Sequence, residues 1–544
     1  MAGSSGGGAA AHRRRPPQRR SFPTRAIALL VLAIVAVVAV VLVVRAVFKP
    51  DHRPETAKAF AAAWSTQDYG AMWNLLDAKS QAATSRAAFA REYRSAYRQS
   101  TLTSLALGAL GPVKHGEVRV PVTVKTQDFG TLRGSVALPV HEEGETAKIA
   151  WTPALRLPGL RGDEQVRRRQ GAKPTRASIY DASGRVLNSD PTGASIAGTP
   201  AQDGKPATGL ERIYDERLAG RPSETLRFGS RTIASVKQVK PRSLHTTIHL
   251  GLQDTALAAL NGALGGIAVI DPNDGAVEAL AGLAVSALQP PGSTFKIITL
   301  AAALEHGVAT PSSSYPEESS TTLSGVKLAN ANNETCGGSL ASSFADSCNS
   351  VFAPLGAKLG AGKLVDMAER FGFNEPFAIP AAKTNSIPQP SELGDSLAVG
   401  SSAIGQNKDQ ATPLGMAAVG ATIANHGVHI SPRIVATAPL HKRRAVSTKV
   451  AGQVRDMMLG VVSGGTGTAA AIPGVEVAGK TGTAELKDEP SNGTPDPENT
   501  DAWFVAFAPA DHPKVAVAVM LVSAGAGGTA AAPIARTVLE AALQ

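Results

Sequence analysis

The chain of 544 residues predicts an α+β multidomain protein, on its length and on two changes of apolar period along it. A chain this long exceeds what one hydrophobic core fills and predicts roughly three folded domains. The first change runs from helical spacing at Ala57, Phe60 and Trp64 to strict alternation at Val118, Val120, Val122 and Val124. The second runs from a helical stretch, Leu252 to Leu260, into the apolar run Ile267 to Ile270, closed by the turn Asp271-Pro272-Asn273-Asp274-Gly275. Period 3.6 giving way to period 2 marks helix followed by strand.

In chain order, the N-terminus comes first. The formal charge is +10, and Arg13, Arg14, Arg15, Arg19, Arg20 and Arg25 supply six of it with no acid among them. The basicity is therefore concentrated in a targeting segment and gives no reason to expect nucleic acid as a partner. Ala26 to Val44 follows as 19 residues without a charge, close to the length that crosses a hydrocarbon core and longer than a usual cleaved signal. We expect a basic cytoplasmic tail over residues 1–25 and an uncleaved transmembrane anchor over 26–44. The positive-inside bias then places the rest of the chain, from about Lys49, on the outer face of a cell membrane.

Residues 51–162 read as helices followed by a curved sheet, with Phe89, Tyr93 and Tyr97 on one helical stripe and Leu132 to Val140 as a further strand. The aromatics of that stripe are expected to be ordinary core. Residues 163–245 are rich in Pro, Gly and Arg, and Arg167-Arg168-Arg169 reads as a solvated linker. Residues 246–544 begin with the helix and hairpin described above. They end with strands at Val475 to Ala484, Trp503 to Ala508 and Val515 to Val522, then a helix from about Ala532 to Leu543. Short connections favour antiparallel pairing, so one sheet is expected to be assembled from both ends of this domain. The acidic, Pro-rich stretch Asp488 to Asp501 reads as a mobile loop beside the cleft.

Chemistry concentrates in three strings. Ser293-Thr294-Phe295-Lys296 is followed 54 residues on by Ser347-Cys348-Asn349, and 187 residues on by Lys480-Thr481-Gly482-Thr483. S-x-x-K alone recurs by chance roughly once or twice in a chain of this length, and Ser324-Gly325-Val326-Lys327 is such a recurrence. Ser293 differs by context. It follows Pro290-Pro291-Gly292 and opens an apolar helical stretch to Leu304 that Gly307 would stop. A residue three places along a helix lies on the same face, about 5 to 6 Å away, so Lys296 can take the proton of Ser293. Lys296 must be neutral to do so, which a desolvated pocket or a second cation would bring about. Cys336 and Cys348 are the only cysteines. Outside a membrane they can pair and brace the middle string by about 3 kcal/mol of chain entropy; two separate buried thiols are the alternative.

The trio resembles that of the penicillin-binding proteins, specifically the class B, monofunctional type, and so does the stretch around Ser402-Ala403-Ile404-Gly405-Gln406 and Thr412-Pro413-Leu414-Gly415-Met416-Ala417. Trp151-Thr152-Pro153 and Leu157-Pro158-Gly159-Leu160 resemble the nuclear-transport-factor-like domain at the start of methicillin-resistance-type members. Leu210 to Asp215 and Leu218-Ala219-Gly220 resemble their pedestal, a dimerisation-type domain. The resemblance implies a penicilloyl-serine transferase fold over 246–544 and a peptidoglycan D,D-transpeptidase activity that β-lactams block by acylation. It implies Ser293 as nucleophile, Lys296 as base, Ser347 as proton relay, Asn349 and Lys480 as substrate-holding groups, and the backbone N–H groups of Ser293 and Thr483 as oxyanion hole. Thr481 and Thr483 would suit the substrate carboxylate, and Gly482 would clear the approach of an extended peptide. No metal or cofactor is implied. No acidic motif of a glycan-polymerising domain is recognised in 51–245, so the resemblance implies a separate polymerase of the SEDS type as partner.

Two other readings remain at this stage. A serine β-lactamase or D,D-carboxypeptidase would hydrolyse the acyl group, with Glu392 as the candidate water-activating base. A non-catalytic division scaffold or β-lactam sensor would keep the fold without the turnover.

Overall fold

The computed structural model describes residues 24–47, 50–485 and 499–544. Most of the expected cytoplasmic tail and of the Asp488 to Asp501 loop lies outside these residues. The first element, α1 (Thr24–Val47), is a 24-residue helix. Its described apolar side chains, from Leu30 to Val43, are exposed. Among the described residues, no helix is long and apolar enough to cross a membrane; the side chains at both ends of α1 are not among them.

The rest of the chain forms two compact units. One comprises residues up to Ala172 plus Ser223–Lys237, the other Lys173–Pro222 plus Gln238–Gln544. In the first unit, helices α2 (Arg53–Ser65), α3 (Tyr69–Asn74), α4 (Ala78–Ala83) and α5 (Arg86–Gln99) precede strands β1 (Leu102–Leu107), β2 (Val113–Lys114), β3 (Glu117–Thr126), β4 (Thr131–Glu143) and β5 (Thr146–Ile149). Side chains capping α3, α4 and α5 explain where these helices start: Asp68, Asp77 and Ser85 each accept from a backbone N–H three residues on. The strands run β1-β3-β4-β5 with β2 beside β3. Val118, Val120, Val122 and Val124 all point into the core, as alternation requires. The aromatic stripe packs against them. Trp64 donates to the Tyr97 hydroxyl at 2.6 Å and Trp151 to that of Tyr93 at 3.3 Å, so the polar edges of this core are satisfied.

The 163–245 segment, expected as a pedestal domain of its own, is divided between the units. Strands β6 (Val166–Gln170), β7 (Glu224–Phe228) and β8 (Arg231–Val236) form an antiparallel sheet. Their Val166, Leu226 and Phe228 join the core of the first unit. Arg168, read as linker, is instead a strand residue whose guanidinium meets the Glu224 carboxylate twice at 2.7 Å. The intervening chain, with Ile179, Leu187, Leu210, Leu218 and Leu244, belongs to the core of the second unit.

That unit is built on helix α6 (Leu250–Leu260) and a hairpin of β9 (Gly265–Ile270) and β10 (Val277–Gly282). Helices α7 (Lys296–Glu305), α8 (Leu340–Ala345), α9 (Asn349–Leu359), α10 (Pro413–Ala424) and α11 (Thr448–Ser463) follow. The chain then returns through β11 (Ala478–Glu485), β12 (Thr500–Ala508) and β13 (Val515–Leu521) to α12 (Gly527–Ala542). The sheet order is β10-β9-β13-β12-β11, antiparallel throughout, so both ends of the segment do build one sheet. Alternate residues sort into two cores: Ala268, Val505 and Ala518 face the central helices, while Val269, Phe504 and Val519 face α6 and α12. Burial on both faces explains why Val515 to Leu521 is continuously apolar, each Val, Met or Leu side chain among them contributing roughly 1.5 to 3 kcal/mol. Strand β11, which carries the third string, is left at an edge of the sheet.

Candidate active site

The nucleophile string does not open a regular helix as expected. Gly292 to Phe295 forms one 3-10 turn, and α7 begins at Lys296. The Gly292 N–H donates to Gly405 O at 2.9 Å, and the Thr294 hydroxyl to Pro291 O at 2.6 Å, which tightens the turn. Gly292 has φ +52, and a Cβ there would come within 2.7 Å of Thr483 O. The turn and strand β11 are therefore in direct contact, which makes Ser293 and Thr483 neighbours across it. This suits a pair of backbone donors to one oxyanion.

Lys296 is fully buried three residues after Ser293. Its Nζ lies 2.6 Å from Ser347 O, 2.7 Å from Asn349 Oδ1 and 3.3 Å from Ser347 Oγ. Lys480, also fully buried, donates to Ser347 Oγ at 2.8 Å and to Thr481 O at 3.1 Å. Each ammonium position stands over an aromatic face, Lys296 over Phe352 and Lys480 over Phe344. Burial, and then the charge of Lys480, hold Lys296 well below the ordinary lysine range. Burial pulls Lys480 down to about 7, opposed by the charge of Asp346. Both causes acting on Lys296 favour its neutral form. A neutral amine has two N–H donors and one lone pair: the donors suit Ser347 O and Asn349 Oδ1, and the lone pair is free to accept a hydroxyl proton. Ser347, hydrogen-bonded to both lysines, sits between base and cation.

The middle string lies in the break between α8 and α9. Ser347 has φ +61, an unusual backbone state for a residue with a side chain. It is held by Ser347 N to Phe344 O at 3.2 Å and Cys348 N to Ser343 O at 2.9 Å. A disulfide joins Cys348 to Cys336, with Cα atoms 5.9 Å apart; the open question of two thiols or one bridge closes in favour of the bridge. Asn349 donates to Ala329 O at 2.9 Å, which fixes its amide so that Oδ1 faces Lys296.

In the third string, Lys480 pairs across the sheet with Val505 and Gly482 with Trp503. Gly482 has a packing role as well. A Cβ there would come within 2.9 Å of Thr294 Cγ2 and of Trp503 Cβ and 3.0 Å of Pro291 O. The glycine lets the strand lie against the turn that carries Ser293. Thr481 is almost fully buried and lies 2.7 Å, hydroxyl to hydroxyl, from Thr466. Thr483 is the half-buried hydroxyl of the pair.

Two positioning residues escaped the sequence reading. Thr466 also donates to Ala345 O at 3.1 Å, so one hydroxyl ties the second string to the third. Asn330 accepts from Ser350 N at 2.8 Å and donates to Glu318 O at 2.7 Å and Glu334 O at 2.9 Å, holding the start of α9. Its signal was hidden in a polar run beside the recurrence at Ser324. That recurrence is a hairpin turn: Leu323 pairs with Val326, and Ser324 and Gly325 both have positive φ. Glu392 is a surface cap, accepting from the Gln389 backbone N–H at 2.8 Å, which accounts for its carboxylate without a water to activate.

A serine on a tight turn, a buried lysine held below its ordinary range, a hydroxyl bonded to two lysines and an edge strand carrying the second lysine form the site of a serine acyltransferase of the penicillin-recognising class. Residues 265–540 match the penicillin binding protein transpeptidase domain, and residues 53–164 match the NTF2-like N-terminal transpeptidase domain. The chain belongs to the penicillin-binding protein transpeptidase family. It is 36% identical over 406 residues to the peptidoglycan D,D-transpeptidase PbpA of Mycolicibacterium smegmatis, covering 63% of this chain and 80% of that one. Against PbpA of Mycobacterium tuberculosis it is 40% identical over 303 residues, 50% of this chain and 58% of the relative. The crystal structure of PBPA from M. tuberculosis superposes with a TM-score of 0.58 at 28% identity, over 69% of this chain and 100% of the other. The same protein's penicillin G acyl-enzyme complex gives 0.58 at 28% identity, over 68% and 100%.

Proposed function

We infer that this protein is a peptidoglycan D,D-transpeptidase that forms an acyl-enzyme through Ser293 and is acylated by penicillin at the same atom. The observation that carries the reading is the hydrogen-bonded chain Lys296, Ser347, Lys480, whose first member follows Ser293 by three residues. Lys296 takes the hydroxyl proton as Ser293 Oγ attacks the carbonyl carbon of the D-alanyl-D-alanine bond. The negative oxygen forms between the N–H groups of Ser293 and Thr483, each such donor contributing about 3 to 4 kcal/mol in other acyl enzymes. Collapse breaks the C–N bond, and Ser347 delivers a proton to the departing D-alanine nitrogen. The amine of a second stem peptide then attacks the ester, gives up a proton through the same groups, and frees Ser293. Lys480 holds the donor carboxylate, with Thr483 as its accessible hydroxyl.

The finer parts of the reading are proposals. The uncharged stretch Ala26 to Val44, within helix α1, supports a single membrane anchor. The arginine-rich tail supports its cytoplasmic side, which puts the catalytic unit on the wall side. A SEDS-type glycan polymerase is the partner this arrangement calls for.

Intact-mass measurement of the full-length protein in detergent with penicillin G is the test. One adduct persisting for hours is expected, located on Ser293 by peptide mapping and lost in Ser293→Ala. An adduct that survives that substitution would overturn the reading, and rapid adduct loss with turnover would convert it to hydrolysis.

A further inference from the structure

We propose that Asp409 is a positioning residue for the acylation step: its hydrogen bond to Ser402 shapes the 402–411 loop, and that loop holds the chain that enters Ser293. This role rests on Ser293 being the acylated residue. It adds to the reaction a side chain that lies outside all three strings.

Ser293 is reached through Gln289-Pro290-Pro291-Gly292. Proline has no N–H, so the backbone donors of this stretch are those of Gln289 and Gly292 alone. Both go to the same loop: Gln289 N donates to Ala411 O at 3.0 Å, and Gly292 N to Gly405 O at 2.9 Å. Ala411 N donates back to Gln289 O at 2.8 Å. The contact at Gly405 leaves no slack, since this residue has φ +76 and a Cβ on it would collide with Gly292 O. The loop also takes hold of α7, where the Thr299 hydroxyl donates to Ala403 O at 2.6 Å. The course of residues 402–411 therefore decides where the Ser293 turn stands against the helix that carries Lys296.

Asp409 closes that loop from within. Ser402 lies at the end of the helix Ser396–Ala403, and its Oγ is 3.1 Å from Asp409 Oδ1, both residues being fully buried. The bond joins the two sides of the loop, with Gly405 in the segment between them. Asn407 adds a longer contact, donating to Ser402 Oγ at 3.4 Å. The second carboxyl oxygen, Asp409 Oδ2, is buried without a hydrogen-bond partner among the described residues. Burial pushes the carboxyl well above the usual carboxylate range, against the hydrogen bond from Ser402. A buried acid with an idle oxygen costs stability. Kept in a loop bonded to the nucleophile turn, that cost points to function rather than packing. An uncharged carboxyl needs only the one bond it makes, which an amide of the same shape can also make.

The test follows acylation of the full-length protein in detergent by penicillin G. Varying the penicillin concentration separates the first-order step from binding, intact mass counts adducts, and calorimetry gives the melting midpoint. Ser402→Ala should slow the first-order step about tenfold or more with little change in the dissociation constant of penicillin, because the turn is displaced while the cleft is kept. It also strands Asp409 without any partner, so the midpoint should fall. In the double variant Ser402→Ala, Asp409→Ala both polar groups are gone and the midpoint should recover. The first-order step should stay as slow as in Ser402→Ala, since the same contact is lost in both. Asp409→Asn should acylate within about twofold of the unaltered protein. A rate that recovers with the midpoint in the double variant would make the pair packing alone and overturn the proposal. So would an unslowed Ser402→Ala, or an Asp409→Asn as slow as the double variant, which would assign the effect to charge. Absence of an adduct on Ser293 in the unaltered protein would bring down the acyl-enzyme reading and this role with it, whereas equal rates in every variant would sink the positioning role alone.

Discussion

Two buried lysines that share one serine hydroxyl disfavour each other's charge, and the pH at which each loses its proton sets the pH range of the chemistry. Burial and the charge of Lys480 hold Lys296 well below the ordinary lysine range, and burial pulls Lys480 down to about 7. In the proposed mechanism Lys480 carries, below that pH, the charge that holds the donor carboxylate; as pH rises through it, that charge is lost. The second-order rate of acylation by penicillin should therefore fall on an alkaline limb near pH 7, read as a property of the coupled pair. Lys480→Arg keeps its charge at all such pH values, and stopped-flow acylation should show that limb displaced upward by at least about two pH units. Asn330 acts without touching substrate. Asn330→Ala would remove the partner of the Ser350 N–H and of Glu334 O, while Glu318 O keeps the Ser350 hydroxyl at 3.3 Å, at a cost of about 1 to 3 kcal/mol. A lower thermal midpoint together with slower acylation is expected. A slower rate at an unchanged midpoint would assign Asn330 a more direct part.

The break between α8 and α9 is the element on which the site depends, and the disulfide braces it from the buried side. Reducing Cys336–Cys348 should cost roughly 3 kcal/mol of stability. It should also slow acylation, since Ser347 is held in an unusual backbone state by the same few residues. Melting curves and acylation rates with and without reductant, with alkylation to confirm reduction, check this; equal rates would confine the bridge to stability. Elements with a strong period were legible in the sequence. The valine alternation of β3, the turn-closed hairpin β9–β10 and the apolar runs of β12 and β13 stand where the sequence predicts strands, and β11 starts three residues later than expected. The three strings also gave the network, because Lys296, Ser347, Asn349 and Lys480 do converge. Illegible were features made by long-range contact. The 3-10 turn at Ser293 is fixed by Gly405, more than a hundred residues away in the chain. Gly482 is explained by Thr294 and Pro291, Thr466 by Thr481 and Ala345, and the strand at Arg168 by Glu224. None of these partners lies within the window that a local pattern samples.

At the scale of the molecule, each unit draws on chain that the other interrupts. Leu226 and Phe228 belong to the first core, while Ile179, Leu187, Leu210 and Leu218 on one side of them, and Leu244 on the other, belong to the second. A protein beginning at residue 238 would thus lack four of the buried leucine and isoleucine positions of the catalytic unit. Its soluble yield and melting midpoint should drop well below those of the chain from residue 50, as judged by size-exclusion chromatography and calorimetry. Equal behaviour would mean that these residues are dispensable to that core. The consequence reaches heredity. A segment that enters one unit, leaves it and returns cannot be divided by a single crossover in the gene. No one breakpoint can exchange the amino-terminal unit, with β6 to β8, for that of a relative and leave both cores whole. Recombination would have to carry the two units together or cut at several places at once.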